Sequence, residues 1–170
     1  MKTRSIFLLI ITVAACLFAA KAVLFEVVRV EGRSMEPTFR PGQILFVDRW
    51  TFGAQVPFFN FYLVRWHSPT HGELVLFLNP NDGLLVVKRC VGLQGDPIKV
   101  ENDIMHIGAT AVHVTPSEAA YFASYTSVPK GTIFALGDNR PISEDSRAYG
   151  FIPVRHLLGG VMLSVPYTGP

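Results

Sequence analysis

Short apolar runs separated by turn residues recur along most of the chain. The runs are rich in Val, Ile, Leu and Phe, which is typical of buried or half-buried β-strands. They lie at residues 27–30, 44–47, 73–78, 84–91, 98–101, 104–107, 132–136 and 161–165. This pattern predicts a mostly β domain.

Two local signals add detail to this pattern. An Asn-Pro-Asn-Asp-Gly run at residues 79–83 separates two apolar runs, and it predicts a hairpin whose second strand carries Lys88. Thr115 and Glu118 have the spacing of a capping box, and a proline follows Thr115 at the first helical position. A short helix is therefore predicted over residues 116–122.

The N-terminal segment differs from the rest of the chain. Residues 5–20 carry no charge, and the apolar run resumes after Lys21. Continued to residue 25, a helix would be about 31 Å long, enough to cross a hydrocarbon core if Lys21 extends its amine to the interface. We interpret residues 1–25 as one transmembrane helix with a short tip, and residues 26–170 as one globular domain.

A cleaved signal peptide is the alternative interpretation of this segment. Ala20-Lys21-Ala22 fits an Ala-x-Ala cleavage site after a short apolar region. The apolar run continues past that site, which favours the anchor. Basic residues flank the segment on both sides, so charge alone does not decide its orientation in the membrane.

Composition and charge argue against several partners. A chain of 170 residues fits one domain with a short appendage, and the net charge is only +2. Its 15 basic residues are scattered rather than clustered, which argues against nucleic-acid binding. The five histidines lack metal-ligand spacing, so neither a metal nor another cofactor is predicted. Cys90 is expected to be a small buried residue, without a disulfide or a nucleophilic role.

Residues 50–62 are crowded with aromatic side chains and broken by glycine and proline. This composition predicts a loop or a bent hairpin. Two locations for the aromatic rings stay open, the headgroup layer of a nearby bilayer and the protein core.

Candidate catalytic chemistry lies in three blocks. Ser34 follows the apolar segment closely, and Lys88 interrupts an apolar strand face that includes Val86 and Cys90. A serine nucleophile needs a base, no histidine is near Ser34 in sequence, and a lysine can act if apolar burial keeps it neutral. Its pKa would have to fall well below about 10.4. The third block, residues 137–153, is dense in Asp, Arg, Ser and Gly.

The three blocks together resemble the signature segments of bacterial type I signal peptidases. The resemblance implies a coiled antiparallel β-sheet catalytic domain that acts on preprotein signal peptides at a lipid bilayer. It also implies a cytoplasmic N-terminus and a catalytic domain on the outer side of the bacterial cytoplasmic membrane. The matching segments are Ser34-Met35-x-Pro37-Thr38, Lys88-Arg89-x-Val91-Gly92 with Gly95-Asp96, and Gly137-Asp138-Asn139-Arg140 through Ser143, Asp145-Ser146-Arg147 and Gly150.

The resemblance also implies roles for single residues. Ser34 would be the nucleophile, Lys88 the general base, and Ser143 the group that orients the lysine amine. Many Gram-negative members carry a serine oxyanion donor two residues before the nucleophile, where this chain has Gly32. The oxyanion hole is therefore expected to depend on the Ser34 backbone N–H, and Gly32 would give the backbone room to approach the substrate.

Four charged residues of the third block are expected to support the site. A free carboxylate beside Lys88 would raise the pKa of its amine, so Asp145 is expected to pair with Arg147 or Arg140. Asp145 and Arg147 resemble the structural ion pair of the family. The supporting residues are Asp138, Arg140, Asp145 and Arg147.

We therefore predict a membrane-anchored serine endopeptidase that removes signal peptides through a Ser/Lys dyad and an acyl-enzyme. One alternative keeps the fold and changes the substrate, as in a dedicated pilin-maturation or conjugation-system peptidase. Another is an inactive anchored export scaffold. Self-cleaving repressors share the dyad chemistry, but an apolar segment stands here in place of their DNA-binding helix-turn-helix.

Overall fold

The structure is a computed structural model that describes residue 4 and residues 6–13, 24–55 and 62–166. Short strands make up most of its regular structure, which confirms the predicted mostly β class. The strands are β1 (Phe25–Arg29), β2 (Ile44–Asp48), β3 (Gly53–Gln55), β4 (Tyr62–Arg65), β5 (Leu74–Leu78), β6 (Leu85–Leu93), β7 (Ile98–Glu101), β8 (Ile104–Ile107), β9 (Thr110–His113), β10 (Thr132–Leu136), β11 (Ile152–Pro153) and β12 (Leu157–Ser164). After β1, the helices are α1 (Pro116–Phe122), α2 (Ser146–Tyr149) and a 3-10 turn over Val154–His156.

The predicted anchor falls largely outside the described residues. Residues 6–13 are helical and exposed. Within the described part of the chain, no helix combines the length and the apolar character that a membrane span requires. Residues 1–3, 5 and 14–23 of the predicted anchor are not among those described.

Seven strands form one antiparallel sheet that curls. Their order is β1-β2-β12-β5-β6-β10-β11. Three strands separate β1 from β6 in this order, yet both line the same cleft, so the sheet bends back on itself. Register shifts where β6 pairs with β10, and where β12 pairs with β2 and β5, mark bulges, which increase the local bend. The coiled antiparallel sheet predicted for the catalytic domain is thus confirmed.

Apolar side chains cover both faces of this sheet. On β5, Val75 and Phe77 belong to one core cluster and Leu76 to another. Burial on both faces explains why the sequence of β5 shows no alternation with polar residues. Phe52 of the segment before β3 packs on the first face, and α1 with the small sheet β7-β8-β9 encloses a further cluster around Phe122.

The predicted hairpin and helix are confirmed. β5 pairs with β6, and the Gly83 N–H donates to the Asn79 carbonyl to close the turn between them. Gly83 has a φ of +72°, a conformation that favours glycine. At α1, the Thr115 side chain accepts from the Glu118 N–H while the Glu118 carboxylate accepts from the Thr115 N–H.

Short elements are the ones that the apolar pattern does not predict. β3 and β4 pair antiparallel, which agrees with a bent hairpin at the two ends of the predicted segment 50–62; residues 56–61 of that segment lie outside the described part. β9, β11 and α2 also lie outside the predicted runs. Strands this short bury too few side chains for a clear period-two signal.

Candidate active site

Lys88 is buried in the middle of β6. Only 3% of its surface is exposed, and Val86 and Cys90, which share its side of the strand, belong to one apolar cluster with Val75 of β5. Removal of water from around the amine disfavours its charged form. Burial therefore lowers the pKa of Lys88 below its ordinary value of 10.5, against smaller opposing effects of two nearby carboxylates.

Ser143 is the direct hydrogen-bond partner of this amine. The distance from Lys88 Nζ to Ser143 Oγ is 3.1 Å. β10 pairs with β6 only opposite residues 89–93, so the sheet position beside Lys88 is open to the loop that follows β10. The tertiary fold thereby brings the third sequence block to the lysine.

Asp145 is fully buried but does not pair with the lysine. Its carboxylate accepts hydrogen bonds from Arg147 Nε at 2.9 Å, from Arg147 Nη2 at 3.0 Å and from the Gly137 N–H at 3.1 Å. Arg140, the other predicted partner, donates instead to the Gly137 carbonyl at 2.6 Å. Of the nearby charges, the Asp145 carboxylate raises the pKa of Lys88 most strongly, and the positive charge of Arg147 offsets part of that effect.

Asp138 joins the strand that carries the lysine to the segment that carries Ser34. Arg89 donates to both of its oxygens, with Nε at 2.8 Å and Nη2 at 2.6 Å, and the Thr38 hydroxyl donates to the same carboxylate. Burial alone would raise the pKa of Asp138, but these donors hold it below its ordinary value. Arg89 also donates to the Gly72 carbonyl at 2.8 Å.

Ser34 lies in a turn between β1 and β2 and is half-buried. Its carbonyl accepts a hydrogen bond from the Asn139 N–H at 2.9 Å. Gly137 lies between the Ser34 segment and Ser143. A Cβ at this position would overlap the Ser143 hydroxyl and lie 2.6 Å from the Ser34 carbonyl oxygen. The structure thus brings the Ser34 backbone next to Ser143, which in turn binds Lys88.

A cleft of about 710 Å³ opens beside Ser34. Residues 27–32 form one wall, and residues 82–87 at the start of β6 form the other. A Cβ at Gly32 would meet no described heavy atom within 4 Å, so this position is open. β1 and β6 run in the same direction, since every strand in the series β1-β2-β12-β5-β6 is antiparallel to the next.

The other candidate groups carry no catalytic arrangement. Cys90 is fully buried, as predicted, and burial raises the pKa of its thiol to about 12. Among the residues that the structure describes, no group of His, Cys, Asp and Glu side chains could hold a metal ion.

Arg89, Thr38 and Asn139 are residues of the site to which sequence reasoning assigns no role. All three lie inside the matching blocks, one of them next to Lys88 and one next to Asp138. Their positions inside the matching segments were the signal that could have identified them as residues of the site. Arg89 and Thr38 both bind Asp138, from 49 and 100 residues away in the chain. No local sequence pattern predicts contacts over such separations.

Comparison with known proteins confirms the resemblance found in the sequence. Signal peptidase I of Bacillus caldolyticus is 30% identical over 166 residues, which covers 88% of this chain and 84% of the relative. Signal peptidase I V of Bacillus subtilis is 31% identical over 175 residues, with 94% and 96% covered. A solved signal peptidase I from Enterococcus faecalis is 26% identical, with a TM-score of 0.44, over 56% of this chain and 98% of that chain. The family model described as signal peptidase, peptidase S26, matches residues 3–166, and the chain belongs to this family.

Proposed function

We propose that this protein is a serine endopeptidase that removes signal peptides from preproteins, with Ser34 as nucleophile and Lys88 as general base. The observation that carries the proposal is the buried Lys88 amine, held by Ser143 beside the Ser34 segment. A solvated lysine is almost entirely protonated near neutral pH and could not accept a proton. The two relatives named signal peptidase I support the assignment of the substrate.

Catalysis begins when the neutral Lys88 amine takes the proton of the Ser34 hydroxyl. Ser34 Oγ attacks the carbonyl carbon of the scissile bond, and the Ser34 N–H stabilises the resulting oxyanion. Lys88 then gives its proton to the leaving amine, which releases the mature protein and leaves an acyl-enzyme. The same amine then takes a proton from the water that attacks the ester and returns it to Ser34 Oγ as the signal peptide leaves. Ser143 keeps the amine oriented throughout.

The cleft is suited to a signal peptide bound as an added strand. Among the described residues, β1 has no strand on its outer side, and β6 has none on its β10 side before residue 89. The two walls therefore offer backbone groups to one extended peptide between them. Val27, Leu84 and Leu85 are exposed around this cleft and provide apolar contacts. A peptide that follows the two parallel walls reaches Ser34.

Membrane anchoring belongs to this proposal. The apolar sequence of residues 1–25 supports a single-pass anchor, and the family supports a cytoplasmic N-terminus; β1 begins at Phe25, the last residue of that segment. Few residues separate that strand from Ser34, so an anchored domain keeps its nucleophile near the membrane surface. With a cytoplasmic N-terminus, the domain of residues 26–170 lies on the extracytoplasmic side of the bacterial cytoplasmic membrane in this proposal, where signal peptides emerge.

Cleavage of a labelled preprotein by the full chain in detergent tests the proposal. The product should begin at the first residue of the mature protein, as N-terminal sequencing would show. Ser34→Ala should leave the preprotein intact, because no other described group replaces the hydroxyl. Intact preprotein with the parent enzyme, or equal cleavage by Ser34→Ala, would contradict the proposal. A panel of general preproteins and pilins would then separate a general enzyme from a dedicated one.

Contact between the domain and lipid gives a further prediction. Trp50 and Trp66 are 43% and 54% exposed, their ring centroids lie 5.6 Å apart, and Leu63 and Val64 beside them on β4 are exposed. Phe52 from the same segment is fully buried, so the segment contributes both to the core and to the surface. Exposed tryptophans are typical of a membrane interface.

These two tryptophans are the only ones in the chain, so its tryptophan fluorescence reports this patch alone. In vesicles, lipids brominated near the headgroup should quench the fluorescence of the full chain, and of each single variant Trp50→Phe and Trp66→Phe, relative to ordinary lipids. Lipids brominated at the chain ends should quench less. Equal fluorescence in brominated and ordinary vesicles would exclude lipid contact by this patch.

Gly32→Ser should raise kcat for preprotein cleavage by about tenfold. Loss of one oxyanion donor typically costs about 10²- to 10³-fold, and the new hydroxyl would enter open space beside Ser34 and recover part of such a contribution. Gly32→Ala fills the same space without a donor and is the matched control. If the serine variant is no faster than the alanine variant, no donor is missing at this position.

A further inference from the structure

We infer that Asn139 is a positioning residue whose side chain aims the Ser34 N–H into the oxyanion hole. The assignment depends on the proposed function and names a residue to which that function gives no role. Asn139 touches neither reacting atom. It acts through the peptide group that joins Arg33 to Ser34.

One residue holds both carbonyls that flank the nucleophile. The Asn139 side-chain Nδ2 donates to the Arg33 carbonyl at 3.1 Å, and the Asn139 backbone N–H donates to the Ser34 carbonyl at 2.9 Å. The Glu36 N–H is a second donor to the Arg33 carbonyl, at 3.2 Å. The peptide group in front of Ser34 is thus held by donors from two parts of the chain.

Peptide planarity turns this contact into control of the oxyanion donor. The Arg33 carbonyl and the Ser34 N–H belong to the same trans peptide group, so they point in opposite directions. A donor that fixes the direction of the carbonyl therefore fixes the direction of the N–H. Within the described residues the Ser34 N–H has no acceptor, and Gly32 adds no side-chain donor. Transition-state stabilisation thus depends strongly on how this one N–H is aimed.

The backbone of Asn139 connects the same peptide to the lysine side of the site. Its carbonyl accepts a hydrogen bond from the Ser143 N–H at 3.1 Å, and Ser143 binds the Lys88 amine. Asn139 is thus hydrogen-bonded both to the segment of the nucleophile and to the residue that holds the base. Only the side-chain contact is lost on substitution, because the backbone hydrogen bonds of residue 139 do not depend on its side chain.

Kinetics of Asn139→Ala and Asn139→Asp in the full chain test this role. Both variants lose the donor to the Arg33 carbonyl, and the aspartate retains the size of the side chain. We expect kcat to fall about 10²-fold, because small misalignments of a catalytic group cost about this much, with KM within about twofold of the parent. Gln94→Ala is the matched control, since it removes a side-chain amide contact to the Gly131 N–H, at 3.0 Å, outside the site.

Inhibition by a peptide aldehyde gives a readout that a purely structural role would not change. Ser34 Oγ bonds to the aldehyde carbon, the hydroxyl proton passes to Lys88, and the carbonyl oxygen becomes an oxyanion that needs the same donor. Affinity for the aldehyde should fall in parallel with kcat/KM. Affinity for the matching peptide alcohol, which forms no such bond, should equal that of the parent.

Parent-like kcat and aldehyde affinity in both variants would overturn the inference. So would equal losses of affinity for the aldehyde and the alcohol, or a loss of activity that thermal unfolding accounts for. The proposed function fails separately, because it is contradicted by intact preprotein with the parent enzyme or by cleavage by Ser34→Ala at the parent rate, and neither result depends on Asn139.

Discussion

Replacing Lys88 with methionine should lower kcat/KM for preprotein cleavage by about 10⁴-fold or more, a loss of the size seen when other serine hydrolases lose their base. Methionine is unbranched and apolar, so it can occupy the space among Val75, Val86 and Cys90 that now holds the lysine stem. Single-turnover cleavage of a labelled preprotein measures the loss. Circular dichroism checks that the fold is retained.

The pH profile connects this loss to a titrating amine. Activity of the parent should rise with pH as Lys88 loses its proton, and the rise should be complete below 10.5 because burial lowers the pKa of this amine. The rising limb should be absent from the residual activity of Lys88→Met. A flat parent profile between about pH 6 and pH 10, or the same limb in the variant, would show that another group titrates.

The same substitution should make the protein more stable at neutral pH. The folded state holds Lys88 at a lowered pKa, so it binds the proton less tightly than the unfolded chain does, and the buried amine costs stability. That cost shrinks as pH rises from the folded pKa towards 10.5, and the advantage of methionine should shrink with it. Lys99→Met is the control, because the Lys99 side chain is 71% exposed and its replacement should affect neither activity nor this pH dependence.

Gly137→Ala should reduce kcat by about 10²- to 10³-fold, because it forces apart the two serines of the site. The added Cβ would overlap the Ser143 hydroxyl and lie 2.6 Å from both Ser143 Cβ and the Ser34 carbonyl oxygen. Ser143 would have to turn from the Lys88 amine, or the Ser34 backbone would have to move. Preprotein cleavage at saturating substrate measures the effect, and the rising limb of the pH profile should shift because the amine loses its 3.1 Å contact.

Gly159→Ala separates this effect from general packing damage. A Cβ at Gly159 would lie 2.5 Å from the Asp48 carbonyl oxygen, a similar overlap with backbone, but in β12 and outside the site. Both variants should unfold at lower temperature than the parent, since overpacking a buried position costs about 1–3 kcal/mol. Only Gly137→Ala should lose activity per folded molecule. Equal losses in the two variants would show that Gly137 matters to packing alone.

The candidate site could be predicted from the sequence by chemistry and resemblance together. A hydroxyl without a nearby histidine needs another base, and an amine in an apolar strand face is unusual; the resemblance of the three blocks to type I signal peptidases then assigned the roles to Ser34 and Lys88. The partner of Asp145 stayed open between two arginines. Only the structure assigns it to Arg147, because the backbone path of α2 turns that side chain back onto the carboxylate.

The sequence by itself determined the mostly β class, the hairpin before Lys88 and the capped helix α1, since strand periodicity, turn residues and capping boxes act between near neighbours in the chain. Tertiary structure alone decided that the sheet curls until β1 and β6 share a cleft, and that residues 137–145 fill the position beside Lys88. Such placements depend on which distant strands pair and on which buried polar groups then need partners. They are properties of the whole fold, and no local run of residues encodes them.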